Sequence, residues 1–304
     1  MEDAETEPAT VLIDGPWRHR DISTNGTRLH VAEIGEGPLI LLLHGFPQFW
    51  WTWRHQLRAL AAAGYRVVAP DLRGYGASDK PPRGYDAFTL SDDVAGLVRA
   101  LGERDATIVG HDWGGLLGWT IAVRQPRVVN RLAVIGMPHP LRVRRQIAAD
   151  PRGQGAASRY LFVFQLPWLP ERKLVADGAA YVAELLRTWG GPGYPDPEAE
   201  QRYRQAMRIP GVAHSSLEYY RWVVRSQFRP DGARFADTLR RPVGVPTLQI
   251  HGRQDTCLLP GTAAGSGRYV RAPYVWRLLP GTGHFPHEED PDTVTAELLE
   301  WLKS

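Results

Sequence analysis

Short apolar runs and amphipathic segments alternate along the first half of the chain, after a polar leader. Continuous apolar runs are typical of strands buried on both faces of a sheet, and apolar residues spaced three or four apart indicate helices. The sequence therefore predicts strands over residues 30–34, 38–43, 65–69, 106–109 and 132–135, and helices over 50–63, 91–101 and 114–124. Because these elements alternate with short links, we expect an α/β fold with a mostly parallel, doubly wound sheet.

The alternation ends at Pro138-His139-Pro140, and a stretch of roughly a hundred residues without a strand pattern follows, far longer than an ordinary loop. Helices are predicted there over 158–164, 173–189, 198–207 and 215–228. Strand patterns return at 247–251 and 274–279, before a final helix over 291–302 that Asp290 is expected to cap. We therefore expect a core made of residues 1–140 and 236–304, with an inserted helical cap, or lid, made of residues 141–235.

Composition excludes several classes of protein. The 36 basic and 33 acidic residues give a net charge of +3 and are interspersed, so the chain lacks the concentrated basic surface that nucleic-acid binding requires. The single cysteine, Cys257, cannot form an intramolecular disulfide and excludes a cysteine-based zinc or iron–sulfur site. We expect a protein that binds no metal, no cofactor and no nucleic acid.

Three features predict where the protein resides. A single cysteine fits a reducing compartment. The first five residues are acidic where a secretory signal would be basic, and no apolar region follows them. The longest apolar stretches, such as residues 39–43 and 161–164, are too short to cross a bilayer. We therefore expect a cytoplasmic protein with no membrane partner.

The segment Gly110-His111-Asp112-Trp113-Gly114-Gly115 follows an apolar strand and opens a helix, which is the setting of a nucleophile elbow. Its glycines are required because the turn is sharp and Cβ atoms there would collide with the neighbouring strand and helix. The central residue is Asp112 and not a serine. A carboxylate that attacks an sp³ carbon forms a stable alkyl ester, so the expected target is an epoxide or an alkyl halide.

Two other parts of the chain favour a nucleophile over the alternative that Asp112 only caps the following helix. His44-Gly45-Phe46-Pro47 comes directly after a buried strand, where the amides of Phe46 and Trp113 would form an oxyanion hole. Asp255 and His284 follow the last two strands, in the order of acid and then histidine expected after an elbow nucleophile. Asp255 would fix the tautomer of His284, although either residue taken singly could be a helix cap or an ordinary histidine.

A metal site near the end of the chain is an alternative that the sequence argues against. His284 and His287 are followed by Glu288 and Glu289, but Pro286 between the histidines breaks a continuous helix face. The helical two-histidine spacing of metalloproteases is absent. We expect no metal at these residues.

These motifs resemble those of the α/β-hydrolase-fold epoxide hydrolases. In that family two cap tyrosines hold the epoxide oxygen and supply its proton; Tyr220 resembles one of them and Tyr160 the other. Composition alone does not assign these functions, because any of the 11 tyrosines could instead be a packed or interfacial ring. The likeness covers nearly the whole chain beyond the leader, and the segments that carry it are His44-Gly45-Phe46-Pro47, Asp71-Leu72-Arg73-Gly74-Tyr75-Gly76-Ala77-Ser78, the elbow, and Gly283-His284-Phe285.

The resemblance implies a two-step reaction that needs only water as a second substrate. Asp112 attacks an epoxide carbon while Tyr160 and Tyr220 stabilise and protonate the opening oxygen. His284, oriented by Asp255, then activates the water that hydrolyses the ester, while the two oxyanion-hole amides stabilise the charge. The expected substrate is a small apolar epoxide, and the residues expected to contact it are Phe46, Pro47, Trp113, Tyr160 and Tyr220.

Two other functions stay open. A haloalkane or haloacid dehalogenase would share the aspartate nucleophile, and the indole of Trp113 could bind the halide. Paired tyrosines would be idle in that reaction, and Phe46 stands where dehalogenases often carry a polar residue. A receptor of the same fold that binds a small apolar ligand without turnover would carry the same motifs. The sequence determines neither the natural substrate nor the oligomeric state, so a homodimer is also open.

Overall fold

The computed structural model describes residues 6–303, so the prediction about the first five residues lies outside the described part of the chain. The strands described form one sheet in the order β1-β2-β4-β3-β5-β6-β7-β8. The β1–β2 and β2–β4 pairs are antiparallel and the other pairs are parallel, which confirms the predicted α/β class. The strand bounds are Arg18–Thr24 (β1), Thr27–Ile34 (β2), Leu39–Leu43 (β3), Arg66–Pro70 (β4), Ala106–His111 (β5), Val129–Ile135 (β6), Thr247–Gly252 (β7) and Tyr274–Leu279 (β8).

The α-helices flank the sheet and fill the interval between β6 and β7. In the core they are Arg54–Ala62 (α1), Ala87–Ala100 (α2) and Trp113–Arg124 (α3). Between β6 and β7 they are Pro140–Ala149 (α4), Gln154–Ala157 (α5), Tyr160–Val163 (α6), Leu169–Trp189 (α7), Pro197–Met207 (α8), Val212–Arg225 (α9) and Pro230–Leu239 (α10). Pro260–Ala263 (α11), Pro286–Glu289 (α12) and Pro291–Lys303 (α13) follow, and short 3-10 turns occur at Pro8–Val11, Trp50–Trp53, Ser226–Phe228 and Ser266–Tyr269.

The hydrophobic pattern is explained by burial on both faces of the central strands. Every residue of β3 is buried, and β3 pairs with β4 on one side and β5 on the other. In α13, Val294, Leu298 and Trp301 are buried on one face. The carboxylate of Asp290 accepts a hydrogen bond from the amide of Thr293 at 3.2 Å, as expected for a helix N-cap.

Several core elements differ from the sequence predictions. Strand β1 was missed because it lies at the edge of the sheet, and only Ile22 and Thr24 among its residues are buried. Helix α2 begins at Ala87, four residues earlier than predicted, because the carboxylate of Asp86 caps it. The helix predicted from residue 50 starts as a 3-10 turn and becomes α-helical only at Arg54.

We name the strand-free segment from α4 to α10 the helical insertion. Its helices differ from the sequence predictions more than the core elements do. Helices α4 and α10 were not predicted; α4 has no fully buried residue, so it lacks a strong apolar periodicity. The helix predicted over 158–164 is shortened to α6, and α5, which precedes it, was not predicted. Helix α7 begins at Leu169 and is interrupted at residues 176–179, where Asp177, Gly178 and Ala179 have positive φ angles.

The carboxyl ends of the parallel strands meet at one edge of the sheet, and the helical insertion covers this edge. Leu43 of β3 pairs with Gly110 of β5, so the loops after these strands begin side by side. The ring of Tyr220, on α9, lies 4.8 Å from the ring of Trp113 at the start of α3. None of the helices within residues 6–303 combines the length and the apolar character needed to cross a membrane.

Candidate active site

Asp112 stands at the sharp turn between β5 and α3. Its backbone has a φ of 47° and a ψ of −114°, a strained conformation for a residue with a side chain. A Cβ on Gly110 would lie 2.2 Å from the carbonyl oxygen of Gly114, and one on Gly114 would lie 2.1 Å from that of Leu43. Only glycine therefore fits at both positions, and the tight turn presents the Asp112 side chain at the carboxyl edge of the sheet.

The two oxygens of the Asp112 carboxylate have different surroundings. Oδ1 accepts a hydrogen bond from the amide of Phe46 at 2.9 Å. Oδ2 lies 3.7 Å from Nε2 of His284, beyond hydrogen-bonding distance. The side chain accepts no capping hydrogen bond from α3, so Asp112 does not act as the cap of that helix. Trp113 is the first residue of α3, where backbone N–H groups have no partner within the helix.

His284 is held by Asp255 and faces Asp112. Its Nδ1 lies 2.8 Å from Oδ2 of Asp255, and its Nε2 is buried with no hydrogen-bond partner within residues 6–303. The other oxygen of Asp255 accepts hydrogen bonds from the amides of Cys257 and Leu258, each at 2.8 Å. A fixed carboxylate that accepts the Nδ1 proton leaves the lone pair of Nε2 directed at Asp112 whenever the ring is neutral.

Burial and the neighbouring polar groups have opposing effects on the pKa values of His284, Asp112 and Asp255. Burial alone would lower the pKa of His284, but the carboxylates of Asp255 and Asp112 more than offset it and raise that pKa to about 10. Burial would likewise raise the pKa of Asp112, whereas its interactions with His284 and the amide of Phe46 hold it below the ordinary value. The same balance lowers the pKa of Asp255. The resting site therefore contains an imidazolium between two carboxylates.

A cavity of about 330 Å³ opens beside Asp112, between the sheet edge and the helical insertion. Asp112, Trp113, Tyr160 and Tyr220 all line it, and most of its other walls are aliphatic or aromatic. The rings of Tyr160 and Tyr220 are 5.8 Å apart and nearly perpendicular. Burial raises the pKa of both tyrosines well above the usual value, so both hydroxyls stay protonated and can donate hydrogen bonds.

Phe46 and Pro47, which the sequence predicts as substrate contacts, are placed differently from Tyr160 and Tyr220. Both are buried, and neither belongs to the cavity walls described. The ring of Phe46 packs edge-on against the ring of Tyr220, at 5.4 Å between centroids. Phe46 thus contacts Asp112 through its amide, while its ring packs against the ring of Tyr220.

Two residues near Asp112, His284 and Asp255 were not found by sequence reasoning. His251, which the sequence analysis does not single out, has Nε2 at 3.1 Å from Oδ2 of Asp255. The sulfur of Cys257 lies 3.5 Å from the hydroxyl of Tyr160. The proximity of Cys257 to Asp255 in sequence was the available signal, because the loop that carries the acid also reaches the tyrosine. His251 lies in β7, four residues before Asp255, so its nearness in sequence was a signal as well.

The cluster at the end of the chain that could be mistaken for a metal site is occupied by hydrogen bonds. Nε2 of His287 lies 2.6 Å from the hydroxyl oxygen of Thr52. The carboxylate of Glu288 accepts hydrogen bonds from the hydroxyls of Tyr194 and Tyr203, each at 2.6 Å. In residues 6–303, no group of three or more His, Cys, Asp or Glu side chains has metal-binding geometry.

Comparisons with known proteins identify the family to which this chain belongs. A family model described as alpha/beta hydrolase fold matches residues 38–291. The AB hydrolase superfamily protein YfhM of Bacillus subtilis is 34% identical over 93% of this chain and 97% of its own length. Epoxide hydrolase A of Mycobacterium tuberculosis is 32% identical over 95% of this chain and 98% of its own. A solved epoxide hydrolase from Bacillus megaterium, in complex with its diol product, has a TM-score of 0.84 and 30% identity, covering 94% of this chain and 100% of that one.

The charge balance around His284 can be tested by titration. Replacing Asp112 with alanine removes one of the two carboxylates that raise the pKa of His284 to about 10. We therefore expect the Asp112→Ala variant to show a lower His284 pKa than the wild type, measured by NMR titration of labelled histidines. The His284→Gln spectrum identifies the resonance. An unchanged pKa in Asp112→Ala would contradict the coupling of these two residues.

Proposed function

This chain belongs to the α/β-hydrolase-fold epoxide hydrolase family, and on that premise we propose that it converts epoxides and water to vicinal diols through a covalent ester on Asp112. The observation that carries the proposal is the set of polar side chains that line the cavity. An aspartate at the elbow shares that space with two protonated tyrosines, Tyr160 and Tyr220. A carboxylate nucleophile suits attack on an sp³ carbon, and the tyrosines suit an alkoxide leaving group that needs a proton.

In the first step, Oδ2 of Asp112 attacks an epoxide carbon and the ring C–O bond breaks. Oδ2 is the free oxygen, because Oδ1 already accepts a hydrogen bond from Phe46. The leaving oxygen stays in the product and takes a proton from the hydroxyl of Tyr160 or Tyr220. The tyrosinate that remains regains its proton in the second step. The result is a hydroxyalkyl ester whose carbonyl oxygen is Oδ1.

In the second step, His284 acts as the base. Ester formation removes the negative charge of Asp112, and with it one of the interactions that raise the pKa of His284. The imidazolium can then pass its proton through water to the tyrosinate left by the first step. The neutral ring can afterwards accept a proton from the water molecule that attacks Cγ of Asp112. Negative charge develops on Oδ1, which the Phe46 amide already contacts, and the amide of Trp113 supplies the second donor of the oxyanion hole. Collapse breaks the ester bond, and the departing diol oxygen takes the proton from His284.

The helical insertion acts as a cap over this reaction. We propose residues 141–235 as the cap, which places its second boundary within α10. It contributes both tyrosines and much of the apolar wall of the cavity. Small apolar epoxides fit these walls, because a charged substituent would lose its hydration there without a partner. Trp113 lines the cavity next to Asp112 and is a proposed substrate contact. Neither step of the proposed reaction uses a cofactor.

The cellular location and the oligomeric state of the enzyme are also part of the proposal. The single buried cysteine fits the reducing cytoplasm. Phe162, Trp168 and Phe228 of the insertion are large apolar residues that are mostly exposed, which leaves a homodimer open.

A dehalogenase is the second candidate, and one observation favours it. The indole Nε1 of Trp113 is buried and has no hydrogen-bond partner among residues 6–303. Because it lies next to Asp112, it would suit a departing halide. Halide release needs no proton, however, and leaves the two tyrosines of the cavity without a chemical function. The epoxide reaction uses both tyrosines and is therefore preferred.

The main test compares three substrates on the wild type and on Asp112→Ala. We expect diol formation from styrene oxide that falls by at least about 10⁴-fold in the variant, because the nucleophile is lost. Asp237→Ala, which removes an exposed aspartate paired with Arg240, serves as the matched control and should keep full activity. Halide release from a chloroalkane without diol formation would support the dehalogenase, and no turnover of either substrate or of an aryl ester would support a receptor.

The tyrosines generate a separate prediction. Tyr160→Phe and Tyr220→Phe should each lower kcat/KM for styrene oxide by about 10- to 100-fold, since each loses a hydrogen bond to the opening oxygen. Tyr181→Phe is the control, because Tyr181 also lies on the insertion but not in the cavity walls. Steady-state kinetics give the result. Unchanged kcat/KM in both cavity variants would exclude these hydroxyls as proton donors.

A further inference from the structure

Glu289, at the end of α12, binds the backbone on both sides of His284. Its Oε2 accepts a hydrogen bond from the amide of Gly283 at 2.7 Å, and its Oε1 accepts one from the amide of Phe285 at 2.8 Å. Oε2 also accepts a hydrogen bond from the amide of Gly191, in the loop after α7, at 2.8 Å. One carboxylate therefore joins the loop that carries His284 to the helical insertion.

The two segments that Glu289 joins are in direct backbone contact. A Cβ on Gly283 would lie 2.4 Å from the backbone nitrogen of Gly191, and a Cβ on Gly191 would lie 2.6 Å from Oε2 of Glu289. Neither position has room for a side chain. The glycines therefore allow the two segments to lie this close together. The carboxylate of Glu289 holds them there by accepting hydrogen bonds from three amides.

His284 itself is attached to the same structure through its main chain. Its amide donates a hydrogen bond to the carbonyl oxygen of Trp189, the last residue of α7, at 2.8 Å. Its carbonyl oxygen lies 2.8 Å from Nε2 of His111. The ring of Trp189 lies 5.1 Å from that of Tyr160 and 5.9 Å from that of His284. The end of α7 thus contacts both the base and one of the tyrosines.

We propose that Glu289 is a positioning residue that fixes the loop of His284 against the helical insertion, and that it serves the second step of the reaction more than the first. The proposal rests on the function proposed above. Hydrolysis of the ester requires His284 to hold water within reach of Cγ of Asp112, and a displacement of about 1 Å can cost about 100-fold in rate. Alkylation depends on Asp112 and the tyrosines, and it does not use His284 as a base.

A carboxylate is required here, and an amide cannot replace it. Three N–H groups converge on the two oxygens of Glu289, and hydrogen bonds to an ionised acceptor are stronger than those to a neutral one. Burial raises the pKa of Glu289 above its ordinary value, and the same three amides act in the opposite direction. In Glu289→Gln, one oxygen becomes an NH2 group that faces an N–H group, so at least one amide loses its acceptor. The loop should then separate from the insertion without any change in the reacting groups.

The test measures the two steps separately by rapid quench and mass spectrometry of the ester at Asp112. In Glu289→Gln, the rate of ester decay should fall by about 10- to 100-fold while the rate of ester formation stays within about 3-fold of the wild type. In the steady state, kcat and KM should fall together because the ester accumulates. Gly191→Ala, which keeps Glu289 but places a Cβ 2.6 Å from its Oε2, should displace the carboxylate from the amides and give the same pattern.

Asp290→Asn is the matched control, because Asp290 is the neighbouring acid and caps α13 without contacting the loop of His284. It should leave both rates unchanged. Equal loss of the two rates in Glu289→Gln and Gly191→Ala, or rates equal to those of the control, would overturn the positioning role. Absence of any ester in the wild type would overturn the proposed function itself, and the inference with it.

Discussion

The rest of the site depends on keeping a carboxylate charged in a buried place. Asp112 is only 8% exposed, and burial of an unpaired charge would drive it to the neutral form, which is a poor nucleophile. The Phe46 amide and the imidazolium of His284 prevent this, and each requires its own support. The elbow brings Asp112 to these partners, and Asp255 keeps His284 charged and oriented. The parallel strands matter because their carboxyl ends deliver these residues to one edge.

The same arrangement explains how one histidine can serve two steps. With two carboxylates beside it, His284 is an acid and stabilises the charged nucleophile. After alkylation, Asp112 is a neutral ester and only Asp255 remains, so the histidine can become a base. The reaction thus changes the proton affinity of its own catalyst without moving a loop. Such a change requires fixed positions, and the contacts of Glu289 with the backbone around His284 offer a physical means of fixing them.

The core was largely predictable because its signals are local. The apolar run of β3 and the cap of α13 at Asp290 follow from burial and from one hydrogen bond. The insertion was less predictable, because its helices are short or interrupted, as α7 is at residues 176–179. Some contacts join segments that are far apart in sequence, such as those of Cys257 with Tyr160 and of Glu289 with Gly191. Such contacts produce no periodic pattern in the sequence from which they could be predicted.

The central claim is that an oxygen of Asp112, and not one of water, enters the product first. A single turnover with excess enzyme in H₂¹⁸O, followed by mass spectrometry of the diol and of the peptide that contains Asp112, measures this directly. The account predicts an unlabelled diol in the first turnover and ¹⁸O in the carboxylate of Asp112, because water attacks Cγ of the ester. Labelled diol together with an unlabelled Asp112 would mean that water attacks the epoxide itself, and would contradict the account.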